Sequence, residues 1–583
     1  MKHSKIPLSQ TLVQLCKAKG IKHIVLSPGS RNAPLTIGFT YDEYFKCYSI
    51  VDERCAAFFA LGIIQKSHEP VAVVCTSGSA LLNYYPAVAE AFYSDLPLVV
   101  LSADRPKYLI GIGDGQTIDQ QNVYNNQILY FANLKLDIEK ERKMANRDEL
   151  PIFKSFESKV EKILGLQRTI QQENESEINK AINIAIIKKG PVHLNVPFEE
   201  PLYDMVEKPS VNPINEIAKY KLNSIDSIAD ISNKWNSAKK KMVLVGVNPP
   251  NKIDQEYLDL FANDESVIVF TETTSNIHHP NFFPSIDKVI APLTQKEFEI
   301  LQPEILLTFG GMIVSKKIKA FLREFKPNEH WHIDPKKAND TFFCLTDHIK
   351  TDVNSFFKEF KDHIYSVSSD YREYWLKVNQ HRRKRHNDYL KEIPFSDLKA
   401  FDTIFKSLPH NSNVQVGNSS AIRYAQLFDL DSSLKIFCNR GTSGIDGSTS
   451  TAIGYAAVCE EPTIFITGDL SFFYDSNALW NNYIPANFRI ILINNKGGGI
   501  FRILPGHKNT PNFDTFFETE HNLTAEQLCD MYHFEYQTTL NDADLKSELS
   551  SFFKPSSKPK LLEIFTPRTL NDSVLLDYFK FIK

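Results

Sequence analysis

Two short runs late in the chain carry the residue types that hold a metal ion and a phosphate group. Gly468-Asp469-Leu470-Ser471 follows the apolar run PTIFIT, and Asn494-Asn495-Lys496-Gly497-Gly498-Gly499 follows RIILI. Apolar, β-branched runs of this length read as buried strands. A carboxylate and an amide therefore stand at the ends of two strands, with the helix-like SNALWNNY between them. One carboxylate, one amide carbonyl and a backbone carbonyl, completed by phosphate and water oxygens, make the ligand set of a hard cation such as Mg2+ or Mn2+. Glycines just beyond let backbone N–H groups come close to a diphosphate. Either run alone is an ordinary strand-end turn. Together, with a helix between and glycines after, they predict Asp469 and Asn495 as metal ligands.

A third stretch, VDERCAAFFAL from Val51, follows YSI, another strand-like run. Taken alone it is the start of a buried helix. Asp52 reads as the N-cap and Glu53 as a first-turn acid facing the positive end of the helix dipole.

Short apolar strands alternating with helical segments position these residues. KHIVLSP, KCYSIVD, VAVVCTS and LPLVVLSAD, with ALLNYYPAVAEAFY as a helix among them, form a first block closed by GPVHLNVPFEEPL. KMVLVGVNPP, SVIVFTET and EILLTFGG form a second. NVQVGNSS, KIFCNRG, PTIFITGDL, FRIILINNKGGG and KLLEIFTP form a third. This rhythm predicts an α/β protein of three domains, each with a central, mostly parallel sheet flanked by helices and active loops at the carboxyl ends of the strands. The expected divisions are 1–200, 201–370 and 371–583, the last opening with a charged linker helix. Its cluster HRRKRH reads as a solvated helix face rather than a polyanion site, because Asp and Glu follow it. Residues 137–176 are expected to be exposed helix, and no internal tandem repeat is visible.

The 583 residues are 42% hydrophobic and 23% charged, an ordinary globular composition, and a net charge of −4 gives no sign of nucleic acid or membrane partners. MKHSKIPLSQTLVQLCKAKG has no long apolar segment before its lysines, and no apolar run approaches the roughly 20 residues that span a bilayer. Eight cysteines without a C-x-x-C pair suggest buried thiols in a reducing compartment. A cytoplasmic protein is expected.

The G-D-x…N-N pairing, the segment GPVHLNVP and the glutamate after the second strand of the first block resemble the thiamine-diphosphate enzymes. That resemblance implies pyrimidine-binding, middle and diphosphate-binding domains, thiamine diphosphate with Mg2+ or Mn2+, and a homodimer or homotetramer with the cofactor at the subunit interface. It gives Glu53 a further role, a hydrogen bond to N1′ of the aminopyrimidine that lets the cofactor remove its own C2 proton. A buried glutamate with a raised pKa suits that task. It adds Gly497 to the metal ligands and places Thr76, Ser77, Ser419, Ile445, Leu470, Ser471, Gly499 and Ile500 against the cofactor. Ile445 would bend the cofactor into its reactive shape, and Ile500, Phe501 and Leu504 would line an apolar wall. Lys496 stands where the family often has Asn, and is expected to point away from the metal.

SPGSRNAPL, SADRP, GQTIDQ, VGNSSAIR and NRGTSGIDG together resemble one branch of that family. Its members, in the menaquinone pathway, join decarboxylated 2-oxoglutarate to isochorismate. Four carboxylates call for arginines, which bind each with two parallel hydrogen bonds. Arg31, Arg105, Arg423 and Arg440 stand in the matching loops, with Ser30, Gln116 and Ser419 as neutral partners and Lys316 and Lys317 as a further basic pair toward isochorismate. Lys316 and Lys317 equally begin an amphipathic helix, SKKIKAFLREF. Rival readings are an acetolactate-synthase-like enzyme or 2-oxoacid decarboxylase on the same fold, which would need no such arginine set, and a catalytically silent thiamine-fold binding subunit, which would have no need of Glu53 or Asp469. GIGDG lacks the G-x-G-x-x-G spacing of a nicotinamide site.

Overall fold

The computed structural model describes residues 2–137, 156–217, 228–504, 508 and 510–583, with backbone alone for 156–166. Every strand expected from an apolar run is present. In the first block these are β1 (His23–Leu26), β2 (Lys46–Ser49), β3 (Val71–Cys75) and β4 (Leu98–Asp104), joined by β5 (Tyr130–Asn133) and β6 (Val192–Pro197). They pair in parallel in the order β2-β1-β3-β4-β6-β5, with Val73 opposite both Val25 and Val100. The middle sheet, also parallel, has the order β8-β7-β9-β10-β11, from β7 (Lys241–Val245), β8 (Val267–Thr271), β9 (Ile305–Phe309), β10 (Glu329–Ile333) and β11 (Asp347–Ile349). The third comprises β12 (Asn413–Val416), β13 (Lys435–Phe437), β14 (Thr463–Gly468), β15 (Phe488–Asn494), β16 (Glu535–Thr539) and β17 (Lys560–Phe565), all parallel in the order β13-β12-β14-β15-β17-β16. The first and third sheets thus share one strand order, a repeat the sequence hides.

Strands buried on both faces read as unbroken apolar runs, and all five residues of β3, β7 and β9 are buried. The strands without such a run are β5, β10, β11 and β16. Three of these are edge strands, and β10 carries His330 and His332 among its apolar residues. ALLNYYPAVAEAFY is two helices, Ser79–Asn83 and Tyr85–Tyr93, because Pro86 has no N–H to continue the ladder. Residues 138–155 of the expected exposed helix lie outside the described residues. A helix covers Phe156–Lys188, and Ile178, Ala181, Ile182 and Ala185 bury its later turns. Among the described residues no helix is long and apolar enough to cross a membrane.

The chain forms two compact units. The first contains residues 1–220 with 449–460 and 475–484; the second contains the remainder. In the first unit, α1 (Glu53–Ser67) crosses the helix Ser448–Ala456 backbone to backbone. A Cβ on Gly62 would meet the Thr451 carbonyl at 2.0 Å, and one on Gly454 would meet that of Phe59 at 2.0 Å. Asp475 locks the crossing, accepting the Ser450 N–H at 2.8 Å and lying within 4.0 Å of Arg54. Burial pushes the Asp475 carboxyl up to about 6, against the pull of these partners.

In the second unit, α2 (Lys316–Glu324), α3 (Tyr371–Glu392), α4 (Asp397–Ser407) and α5 (Asn571–Phe581) flank the sheets. The basic cluster on α3 is not a solvated face. Arg382 and Arg385 reach the carbonyls of Ile582 and Phe581, the latter accepting from Arg385 Nε at 2.9 Å and Nη2 at 2.6 Å. Those carbonyls belong to the last turn of α5, which has no intrahelical donors for them and carries the negative end of the dipole. Arg385 also stacks 4.0 Å above the Phe581 ring. Arg385→Ala should therefore lower stability by roughly 1.5–3 kcal/mol, the range for a charged hydrogen bond, measured by urea denaturation; a loss below about 0.5 kcal/mol would return the cluster to the surface.

Candidate active site

In the first unit, loops from three strand ends meet. A Cβ on Gly29, after β1, would come within 2.3 Å of Thr76 Cβ, after β3, so only glycine fits there. Thr76 and Ser77 are both buried. The stretch after β4 is tied down by Gln120, whose Oε1 accepts the Gly78 N–H at 2.9 Å and whose Nε2 donates to Asn195 Oδ1 at 2.6 Å. Asn195 in turn donates to Asp104 Oδ2 at 2.8 Å. This buried chain of amides fixes the loop bearing Gln116, which is itself exposed at a φ of 54°. Ser30 is exposed beside the buried Arg31.

Arg31 and Arg105 stand on adjoining loops. Arg31 Nη1 donates to the Phe198 carbonyl at 3.0 Å and Nη2 lies 3.4 Å from Glu200; Arg105 Nη1 lies 3.3 Å from Asp114. Burial, and then the Arg105 charge, hold the Arg31 guanidinium below its usual range. The Nε atoms of both are buried with no hydrogen-bond partner among the described residues. Asp52 caps α1 as expected, accepting the Arg54 and Cys55 N–H groups, and Glu53 is the first helical residue. Burial raises the Glu53 carboxyl, and the Asp52 charge adds to it, while bonds from its own N–H and from Asn83 oppose the shift.

In the second unit the polar centre is Asn418, a residue the motif reading passed over. It is buried, and its Nδ2 donates to the carbonyls of Asn439 and Gly444, both at 2.7 Å. Its Oδ1 accepts from Arg440 Nη1 at 2.8 Å. One amide thus closes the loop that carries Arg440 and Ile445. Ser471 donates to the Ile445 carbonyl at 2.7 Å and ties the same loop to the strand end at Asp469. Ser419 sits at φ 67°, ψ −122°, strained for a residue with a Cβ. Burial, and then the Arg440 charge, depress Arg423, with Asp287 opposing. Ile445, Phe501 and Leu504 are more than a third exposed, and Ile500 is half-buried.

Two carboxylates, the buried Glu272 and the half-buried Asp287, were also missed; they stand outside any motif. Glu272 accepts the Val314 and Ser315 N–H groups at 2.7 Å each, and Ser315 is the N-cap of α2, accepting from Ile318. Burial pushes Glu272 up to about 7, against those bonds and the Arg440 charge. The reading of SKKIKAFLREF as an amphipathic helix holds. Lys316 is exposed at its first turn, and Lys317 lies 4.8 Å over the Phe579 ring with its charge acting on Asp287.

At the end of β14, Asp469 Oδ1 accepts the Leu470 N–H at 2.7 Å and Oδ2 the Gly497 N–H at 3.0 Å. His521 Nε2 approaches that Oδ2 to 3.3 Å without hydrogen-bond alignment. At the end of β15, Asn495 Nδ2 donates to Asp397 Oδ2 at 2.9 Å, and its Oδ1 is buried without a donor. Burial pushes the Asp397 carboxyl up to about 6, against the bonds from Thr566 and Asn495. A carboxylate and an orphaned amide oxygen fit a hard cation. Among the described residues no three His, Cys, Asp or Glu side chains converge on a metal position. The glycine N–H groups differ from expectation. Gly497 donates to Asp469, Gly498 to the Glu518 carbonyl at 2.6 Å and Gly499 to the Gly497 carbonyl at 3.0 Å. They shape the loop and are not directed at a diphosphate. Lys496 is exposed, its Nζ 3.3 Å from Asn522 Oδ1.

An acid and an amide at adjoining ends of one parallel sheet, and a part-buried glutamate opening a helix in the first block, are the residue types expected of a thiamine-diphosphate enzyme. The chain matches the thiamine pyrophosphate enzyme N-terminal TPP-binding domain over residues 6–123 and the middle domain of thiamine pyrophosphate over residues 219–414. The 2-succinyl-5-enolpyruvyl-6-hydroxy-3-cyclohexene-1-carboxylate synthases of Christiangramia forsetii and Flavobacterium psychrophilum are 57% and 55% identical to it over the whole of both chains. That of Porphyromonas gingivalis is 36% identical over 98% of this chain and 96% of its own. The chain belongs to the 2-succinyl-5-enolpyruvyl-6-hydroxy-3-cyclohexene-1-carboxylate synthase family.

Lys496 adopts a φ of 65°, a conformation that Asn tolerates better than Lys. Lys496→Asn should raise stability by about 1 kcal/mol, seen as a higher midpoint in thermal unfolding without metal; an unchanged or lower midpoint would mean that the Asn522 contact outweighs the strain.

Proposed function

We propose that this chain catalyses the thiamine-diphosphate-dependent decarboxylation of 2-oxoglutarate and the conjugate addition of the four-carbon remnant to isochorismate, releasing carbon dioxide but not pyruvate, in menaquinone biosynthesis. The observation that carries this reading is the sorting of four arginines in the matching loops into two pairs, Arg31 with Arg105 and Arg423 with Arg440, in each of which one guanidinium is depressed by burial and then by the other's charge. Like charges brought together in a partly dry place await dianions, and both substrates are dicarboxylates. An acetolactate-synthase-like enzyme acting on pyruvate would have no use for such pairs.

When bound, thiamine diphosphate supplies the nucleophilic carbon that takes up the oxo acid and passes on its decarboxylated remnant. Glu53 shares a proton with the aminopyrimidine ring, with Thr76 and Ser77 beside it. Asp469, Asn495 and the Gly497 carbonyl would hold Mg2+ or Mn2+, which would bind the cofactor's diphosphate oxygens. Ser419, Ile445, Leu470, Ser471, Gly499 and Ile500 contact the cofactor, and the half-apolar wall of Ile445, Ile500, Phe501 and Leu504 keeps water from the reacting carbon. The arginines, helped by Ser30, Gln116, Ser419, Lys316 and Lys317, bind the carboxylates and stabilise the charge that develops on the acceptor's conjugated carboxylate. The three sheets fall within 1–200, 201–370 and 371–583, which supports that domain division. We place the enzyme in the cytoplasm, as a homodimer or homotetramer.

Two variants test the assignment. Glu53→Gln is nearly isosteric but cannot share a proton. It should retain cofactor binding while C2-proton exchange of the bound cofactor, followed by NMR, falls at least a hundredfold; exchange at the wild-type rate would reduce Glu53 to a first-turn acid. Arg105→Ala should raise the apparent isochorismate requirement more than it slows decarboxylation of 2-oxoglutarate. Truncating one partner of a buried charge pair costs about 2–5 kcal/mol, a factor of roughly 30 to several thousand. Stopped-flow measurement separates the two steps, and a variant slow in decarboxylation but normal in coupling would assign Arg105 to 2-oxoglutarate.

A further inference from the structure

Asn495 has two faces with opposite hydrogen-bonding character, and which one meets the metal depends on a residue nearly a hundred positions upstream. Its Nδ2 lies 2.9 Å from Asp397 Oδ2, and its Oδ1, on the other side, is buried without a donor. Asp397 is itself immobilised. It opens α4, its N–H donates to Asn571 Oδ1 at 2.8 Å, and its Oδ1 accepts from Thr566 Oγ1 at 2.5 Å. These contacts join α4, the end of β15, the residue after β17 and the start of α5.

Asp397 accepts at both oxygens, from Asn495 and from Thr566, whereas an amide offers a donor on one side and an acceptor on the other. With Asp397 fixed, the reverse orientation of Asn495 would set its oxygen against a carboxylate oxygen and turn the NH2 group toward the cation. We infer that Asp397 is a positioning residue of the metal site, holding the Asn495 amide in the single orientation that presents Oδ1 as a ligand. Outer groups that orient metal ligands commonly change affinity 10–100-fold when removed. The inference rests on the reading of Asn495 as a metal ligand.

The test is Mn2+ binding to the full chain in the presence of thiamine diphosphate, followed by the electron paramagnetic resonance signal of free Mn2+, with thermal unfolding of the metal-free protein as a check on folding. Asp397→Leu is close in size but offers no acceptor, and should bind Mn2+ at least tenfold more weakly. Asp397→Asn can turn its carbonyl oxygen toward Asn495 Nδ2 and its NH2 toward Thr566, and should stay within threefold of wild type. A purely packing role would not restore metal affinity in this way. Asn495→Ala tests the underlying reading. If it weakens binding while Asp397→Leu does not, the positioning role is overturned and the ligand assignment stands. If Asn495→Ala binds as wild type, the ligand assignment itself fails. Should Asp397→Leu not fold, Asn495→Asp provides the second route, since it sets two carboxylates in contact. Adding Asp397→Asn then supplies a donor and should recover at least tenfold in affinity; no recovery overturns the proposal.

Discussion

Parallel strand order is the constraint on which the site depends. In each sheet the second strand lies on one side of the first and the third on the other, so the chain must reverse its direction of winding there. Loops leaving the carboxyl ends on either side then diverge and leave a crevice. The Arg31 and Thr76 loops of the first sheet, and the Asn418 and Asp469 loops of the third, leave the strand ends at that reversal. The same order built twice gives two such crevices, one in each of these sheets. Glycine packing at Gly29 and the amide chain through Gln120 and Asn195 adjust the loops on a frame that the order has already drawn.

Charge balance is the second organising force. Arginines brought close together in a partly dry place repel one another, and each pair has acids nearby in the substrate-free chain: Glu200 and Asp114 for the first, Asp287 and Glu272 for the second. Glu272 also holds the N–H groups at the start of α2, which links the middle sheet's loop to the lysines that open that helix. A substrate carboxylate would therefore replace existing contacts as well as add new ones, so affinity depends on how firmly the acids hold their cations.

Much of this was legible from residues in order. The strands with both faces buried announced themselves as apolar runs, and the acid and amide at Asp469 and Asn495 stood at their ends. Asp52 as a cap and the amphipathic start at Lys316 were also readable, since local hydrogen bonding and periodicity decide them. What sequence could not give were partners far apart in the chain. Asp397 and Glu272 belong to no motif, and Asn418 and Asn195 stand inside quoted motifs without a role; their roles come from which strand ends the topology brings together. Edge strands such as β11 and β16, only partly buried, lacked the apolar signal. The arginines of α3 looked like a solvated face because their acceptors, the last carbonyls of α5, lie about 200 positions away in sequence. The glycine run was read for its freedom near a ligand, and the donors it carries proved to be engaged by Asp469, Glu518 and Gly497.

The crossing of α1 with the helix Ser448–Ala456 has a consequence for how the protein is made. The first sheet has all its strands once β6 leaves the ribosome, yet the groove over Gly62 and the side of α1 bearing Arg54 and Cys55 receive their cover only after residue 484 has been synthesised. That face of α1 lacks its partners for about half of translation, and contacts this distant in sequence close slowly. A chain divided between residues 220 and 449 would leave α1 without the helix whose backbone its Gly62 is shaped to meet.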